Sequence, residues 1–280
     1  MRWSVGSAWL TASHEQLVTV LPMHRIATIA LGAFKESVRE RVLYNLIVFA
    51  FLMIAAAILL GSISVGVEEF ILVNFGLGAI AVFGLLMAIF IGIGLVSKEI
   101  ERRTIYNILA KPVSRAEFIL GKYAGLLLTL IINTAIMTAG FYVALAIVHK
   151  GLIGADISLL VAIYFILLQL AIVIGIAILF SCLSSPVLSA VLTFSVFIIG
   201  NVSGEIRRFG ELSHSPVLEK VTSFLYYVLP NFGNLNVITD VAHQVAVPGF
   251  LIVANTCYAL LYIAVLASAA VLIFERREFR

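Results

Sequence analysis

Six strongly apolar runs of at least 17 residues, all without Asp, Glu, Lys, Arg or His, constrain the fold more than any motif does. They are residues 42–62, 75–96, 123–148, 158–180, 187–203 and 249–274. An α-helix rises about 1.5 Å per residue, so about 20 apolar residues cross the roughly 30 Å hydrocarbon core of a bilayer. The run at 187–203 is at the short limit, where a tilted or partly re-entrant helix is expected. The sequence therefore predicts an all-α polytopic membrane protein with six transmembrane helices.

The overall composition agrees with a membrane protein. Hydrophobic residues make up 62% of the chain and charged residues 12%, whereas soluble domains have roughly 45–50% and about 25%. None of the apolar runs alternates strictly between polar and apolar residues, the pattern of a membrane β-barrel strand. Helices are thus the expected form of each span, and the lipid bilayer is the expected partner along their length.

The distribution of basic residues predicts the orientation. With the N-terminus inside, fourteen of the eighteen Lys and Arg residues lie on the cytoplasmic side. This asymmetry follows the positive-inside rule. We therefore predict cytoplasmic N- and C-termini, and we interpret the net charge of +3 as a sign of orientation and not of nucleic-acid binding.

The segments outside the spans divide into three predicted parts. Residues 1–22 lack the apolar core of a secretory signal and are expected to be a disordered extension, with translation beginning at Met1 or Met23. The transmembrane domain is then 23–280 and begins with an amphipathic interfacial helix at 25–41, whose apolar face is covered by lipid or by protein. In the outer loop, 204–248, the pair Ser215–Pro216 predicts the start of a short helix that ends before Pro230.

The spans contain small and polar residues but no ionisable ones. Gly84, Ala88 and Gly92 recur every four residues, so this face is expected to pack on another helix of the same or a second subunit. Asn133, Gln169 and Asn201 are candidates for a translocation path, and interhelical hydrogen bonding is the favoured alternative. The missing ionisable groups argue against a proton relay and against acid–base catalysis within the membrane. A sodium-coupled carrier remains open.

Soluble catalytic and metal-binding motifs are also absent from the sequence. Gly121-Lys122 is followed by Tyr and lacks the glycine of a phosphate-binding loop, and the five histidines show no HExxH spacing. The two cysteines, Cys182 and Cys257, are interpreted as small buried residues. We therefore assign no catalytic, cofactor-binding or metal-binding residue, and uphill transport would draw its energy from another polypeptide.

The stretch from Ser97 to Lys122 is charged and sits between the second and third apolar runs. Ile105, Ile108 and Leu109 form one apolar edge of a short helix, and Pro112 ends it. Ser114 and Glu117 then have the spacing of a capping box, which starts the helix of the third span before the bilayer. A loop whose only role is to fix the membrane topology needs positive charges but no apolar edge, proline or capping box. The presence of all three therefore favours a docking element.

The same stretch carries a family resemblance. "SKEIERRTIYNILAKPVSRAEFILGKYAG" resembles the motif of ABC-2-type ABC transporter permeases, and "FERREF" near the C-terminus resembles their basic ending. The arrangement of six spans, lead-in helix and outer loop matches as well, so the resemblance covers about 23–280. The chain departs from the family pattern at Arg103, where many relatives have glycine.

The resemblance implies a permease subunit of a prokaryotic inner-membrane exporter. It would pair with a second permease copy or homologue and with two ATP-binding cassette subunits, which bind ATP and Mg. The segment 97–122 would be the coupling helix that docks in a groove of the ATPase. Its implied docking residues are the following: Glu101, Arg102, Arg103, Thr104, Ile105, Ile108, Leu109, Pro112, Ser114 and Arg115. The rivals are a non-transporting assembly or sensory protein and a secondary carrier. The sequence does not indicate the substrate.

Overall fold

The computed structural model describes residues 23–37, 42–63, 68–101, 114–149, 157–213, 215–243, 245 and 247–276. All regular elements in these ranges are helical. The helices are α1 (23–37), α2 (Val42–Ile63), α3 (Glu68–Glu101), α4 (Arg115–His149), α5 (Ile157–Leu183), α6 (Pro186–Asn201), α7 (Ser203–Leu212), α8 (Pro216–Val228), α9 (Ile238–Ala242) and α10 (Gly249–Arg276). A 3-10 turn at Gly233–Leu235 precedes α9.

Four of these helices are long and apolar enough to cross a membrane on their own: α3, α4, α5 and α10. A fifth crossing results if α6 and α7 are counted together, since the chain bends by 57° between them. The prediction of an all-helical chain with several spans is confirmed. The short apolar run at 187–203 corresponds to α6, and the sharp turn into α7 follows directly.

Helix α5 forms the centre of the bundle. Of its most apolar window, 72% is buried, and residues 171–178 are buried without interruption. A helix that is apolar all round is covered by protein or by lipid, and for α5 protein provides most of the cover. Helices α3 and α10 provide the most extensive packing against it.

The face of α3 with small residues packs against α5 of the same chain. A Cβ atom on Gly84 would collide with Leu170 Cδ1, and one on Gly92 would lie 2.8 Å from Ala177 Cβ. The two helices approach so closely because both positions lack a side chain. The predicted helix contact is confirmed, and it lies within one subunit.

Only one of the two cysteines is buried as expected. Cys182 is buried in α5, whereas Cys257 is exposed on α10. The expectation is wrong for Cys257 because α10 packs through a narrow face, with 22% of its window buried.

The predicted outer loop, 204–248, contains more structure than expected. Helix α8 begins at Pro216 and ends at Val228, which confirms the predicted helix between Ser215 and Pro230. Helices α7 and α9 and the 3-10 turn were not predicted. After α8 the chain turns inward, and Pro230, Asn231 and Phe232 are buried. We refer to residues 228–236 as the outer segment.

Much of the predicted coupling segment lies outside the described residues. This applies to residues 102–113 and therefore to the predicted short helix, to Pro112 and to the docking residues from Arg102 to Leu109; the side chain of Glu101 is also not described. The capping box that follows is confirmed. Ser114 N donates to Glu117 Oε2 over 2.8 Å, and Glu117 N donates to Ser114 Oγ over 3.1 Å.

Replacing Ser114 by alanine is expected to destabilise the protein by about 1 kcal/mol, the usual cost of losing an N-cap side chain. Ser215→Ala is the matched control, because Ser215 is also an N-cap but its side chain makes no capping hydrogen bond. Thermal unfolding in detergent compares the two variants. Equal melting temperatures would contradict a stabilising role of the Ser114 side chain.

Candidate functional site

The candidate site is the beginning of α4, which follows the predicted coupling segment directly. We call residues 114–125 the α4 junction. Helices α1, α5 and α10 all contact it. A partner docked on the predicted coupling segment would act on the chain just before Ser114. The helices that contact the α4 junction are then the ones expected to move together with α4.

Helix α1 lies against two glycines of the α4 junction. A Cβ atom on Gly121 would lie 2.8 Å from Ile29 Cβ, and one on Gly125 would lie 2.5 Å from the carbonyl oxygen of Ala30 and 2.7 Å from Ala33 Cβ. Two glycines four residues apart let the backbones approach closely. Protein therefore covers this part of the apolar face of α1, where the sequence left lipid and protein as alternatives.

An ion pair reinforces the contact between α1 and α4. Lys122 Nζ lies 3.8 Å from Glu36 Oε2, and the Lys122 side chain is only 6% exposed while that of Glu36 is 42% exposed. The same Nζ lies 5.7 Å from the centre of the Phe118 ring. A buried ammonium group is costly without a partner, so Glu36 and the ring fix where α1 crosses α4.

The last turns of α10 meet the first turn of α4. Arg115 Nη1 donates to the backbone carbonyl of Phe274 over 2.7 Å, and the rings of Phe118 and Phe274 stack with 5.8 Å between centroids. A cation beside the C-terminal end of a helix also offsets the negative end of the helix dipole. Arg115 thus binds the C-terminal end of α10.

The third contact of the α4 junction is with the central helix. Tyr123 OH donates to the carbonyl oxygen of Ala171 in α5 over 3.1 Å. The hydroxyl is thereby paired at a position where the surrounding side chains are apolar.

Of the predicted path residues, the structure brings two together. Gln169 Nε2 in α5 donates to Asn201 Oδ1 in α6 over 3.4 Å, and Asn201 Nδ2 donates to the carbonyl of Phe197 over 2.9 Å. Asn133 instead donates to the carbonyl of Thr129 in its own helix over 2.8 Å. Gln169 and Asn201 therefore make a hydrogen bond between two helices, and a role of these residues in a translocation path stays a prediction.

Sequence reasoning placed Arg115 at the coupling segment but did not find its contact with Phe274. The two residues are 159 positions apart, and no periodic pattern links them. The contact between α1 and α4 did have a signal in the sequence. Gly121 and Gly125, which flank Lys122, have the four-residue spacing of small residues at a close helix contact. In the part of the chain that the structure describes, no three His, Cys, Asp or Glu residues form a group that could hold a metal ion.

The comparison with known families agrees with this architecture. A family model described as ABC-2 family transporter protein matches residues 27–279. No curated protein sequence matches the chain. The family match covers α1 from residue 27 onward, the helices α2 to α10 and the whole α4 junction. The chain is therefore a multi-pass membrane protein and belongs to the ABC-2 transporter family.

Proposed function

We propose that this protein is the membrane-spanning permease subunit of an ABC exporter, without ATPase activity of its own. Membrane subunits of this family work with an ATP-binding subunit, and here two copies of it would bind ATP and Mg. A second permease copy or homologue would complete the complex in the prokaryotic inner membrane. The observation that carries the proposal is the α4 junction, in which a capped helix start joins the predicted docking segment to a helix able to span the membrane.

The contacts at one end of the bundle support the proposed topology. Helix α1, the start of α4 and the end of α10 meet there through Glu36, Lys122, Arg115 and Phe274. These contacts support a topology in which α1, the connection before α4 and the end of α10 share a side of the membrane. Both termini on one side require an even number of crossings. Six crossings result when α2 and the bent pair α6–α7 each span once.

The length of α2 fits a span. Its 22 residues reach about 33 Å at 1.5 Å per residue, which matches a bilayer core. Most Lys and Arg residues lie on the side of the α4 junction under this topology, and that side is then cytoplasmic.

In the proposed mechanism, the apolar side chains of Ile105, Ile108 and Leu109 enter a groove of the ATPase. The charged residues of the coupling segment then contact the edges of this groove. Closure of the ATP-bound pair displaces the segment. A displacement that reaches Ser114 passes to α4, because the capping box joins Ser114 to the first turn of α4. Gln169 in α5, Asn201 in α6 and Asn133 in α4 are the polar residues proposed to line the translocation path.

The experiment that tests the proposal is the charge-introducing change Leu109→Asp. A carboxylate on the predicted docking edge is expected to abolish co-purification with the ATP-binding subunit, because burying an unpaired charge costs several kcal/mol. Val245→Asp is the matched control, since Val245 is an exposed apolar residue in the loop before α10. Pull-down and ATP turnover are measured on both variants.

An unchanged complex with Leu109→Asp would overturn the docking assignment. A protein that binds the ATPase but exports nothing would instead support the assembly or sensory alternative. Transport that persists without any ATP-binding subunit would support a secondary carrier.

A further inference from the structure

We propose that Arg115 is a positioning residue that makes α10 move with the coupling segment, so that ATP-driven motion reaches the outer segment at the opposite end of the bundle. The inference rests on the proposed function. It adds a second route for the motion, through α10, to the direct one through α4.

The first step is the strength of the contact between Arg115 and α10. The acceptor is a backbone carbonyl at 2.7 Å, so a rotation of the Phe274 side chain does not release it. A hydrogen bond from a guanidinium is among the stronger ones. Stacking of Phe118 on Phe274 at 5.8 Å holds the same two helix ends together. Because Arg115 is the first residue of α4, a displacement of Ser114 carries the end of α10 with it.

The second step is what α10 contacts at its other end. Three of its polar side chains bond to the outer segment. Asn255 Nδ2 donates to the carbonyl of Asn234 over 3.1 Å, Tyr258 OH accepts from Asn231 N over 2.9 Å, and Tyr262 OH donates to the carbonyl of Val228 over 2.9 Å. Besides these bonds, Thr256 Oγ1 of α10 shares a hydrogen bond of 2.8 Å with Tyr164 OH of α5, and apolar side chains such as Leu266 pack against α5. A helix is a stiff rod, so a displacement of one end also moves the residues along its length. Motion at Phe274 is thus delivered to the outer segment.

The third step is what the outer segment covers. Phe232 N donates to the carbonyl of Gly200 over 3.1 Å, and Gly233 lies beside the carbonyl of Asn201. The segment therefore closes over the end of α6, directly at the pair Gln169 and Asn201. Displacing it would open the outer side of this polar pair, which is what release of an exported substrate requires.

The experiment uses the full complex with the ATP-binding subunit that co-purifies with it. Cys182 and Cys257 are replaced by alanine, and single cysteines are placed at Asn236 in the outer segment or at Leu120 in the α4 junction; both native residues are exposed. Labelling with a fluorescent maleimide is timed with and without ATP and orthovanadate. In the wild type, both sites are expected to change their labelling rate on nucleotide binding.

In Arg115→Gln, we expect the nucleotide response at Asn236 to be lost and the response at Leu120 to remain. Arg115→Lys keeps a cationic donor, and we expect it to retain the nucleotide response at Asn236. A residue with only a structural role would not need a cationic donor for this response. Arg208→Gln is the matched control, because Arg208 is an exposed arginine on α7, with a side chain 74% exposed.

The possible outcomes separate this inference from the proposed function. A response at Asn236 that survives in Arg115→Gln would overturn the inference and leave the proposed function intact. Loss of the responses at both sites in Arg115→Gln would indicate that Arg115 acts at the ATPase groove, and this result would also overturn the inference. A wild-type complex that responds at neither site would refute the proposed coupling mechanism and the inference together.

Discussion

Leucine in place of Gly125 is expected to separate α1 from the α4 junction and to lower the thermal stability of the protein. Even a single Cβ atom at this position would lie 2.5 Å from the carbonyl oxygen of Ala30 and 2.7 Å from Ala33 Cβ. Both obstacles belong to the rigid part of α1, so no side-chain rotation makes room. Overpacking of this kind costs about 1–3 kcal/mol, and the simplest relief is displacement of α1.

The control for this change is Gly78→Leu. Gly78 also lies within an apolar helix, but a Cβ atom there meets nothing within 4 Å. Thermal unfolding in detergent measures the stability of both variants, and trypsin cleavage at Lys35, an exposed residue of α1, reports whether α1 has separated. The contact would be refuted if Gly125→Leu kept the melting temperature and the protease resistance of the wild type.

The helices themselves were predictable because their signal is local. Each apolar run is long enough to require a helix in lipid, where every backbone group must be bonded within its own segment. The capping box at Ser114 and Glu117 is equally local, since its two partners are three residues apart. The start of α4 was therefore predicted correctly, ahead of the apolar run that it leads into.

The partners of each helix were not predictable in the same way. Arg115 was predicted only as a docking residue, and only the fold brings it to Phe274. Gly121 and Gly125 show the spacing of a close helix contact, but the spacing does not tell that α1 is the partner. One sequence gives the periodicity of a face and contains no information about what covers it.

The bend between α6 and α7 shows another limit of local reasoning. The sequence has no proline at the break, and the short apolar run suggested only a tilted or re-entrant helix. In the structure, the carbonyl of Gly200 accepts hydrogen bonds from Ser203 Oγ over 2.9 Å and from Phe232 N over 3.1 Å. The second donor comes from the outer segment, so the break depends on a contact that sequence spacing does not reveal.

Truncating Phe232 to alanine is expected to have the largest effect of any single change in the outer segment. Its ring is fully buried and packs on Phe197 at 5.4 Å between centroids. Removing a buried phenylalanine side chain typically costs about 3–5 kcal/mol, because the neighbours fill the cavity only in part. Gly200 lies so close to Pro230 and Phe232 that the ring also fixes the distance between the outer segment and the end of α6.

Phe250→Ala removes the same number of atoms and is the matched control, since Phe250 is 80% exposed. The melting temperature in detergent should fall strongly for Phe232→Ala and little for Phe250→Ala. If burial of the ring holds the outer segment in place, a cysteine at Asn236 should also react faster with maleimide in Phe232→Ala, without nucleotide. Equal stability and equal labelling in the two variants would show that the outer segment is held without Phe232. The hydrogen bonds from α10 would then be the main restraint on it, and cutting them at Tyr262 would have the effect expected here for Phe232.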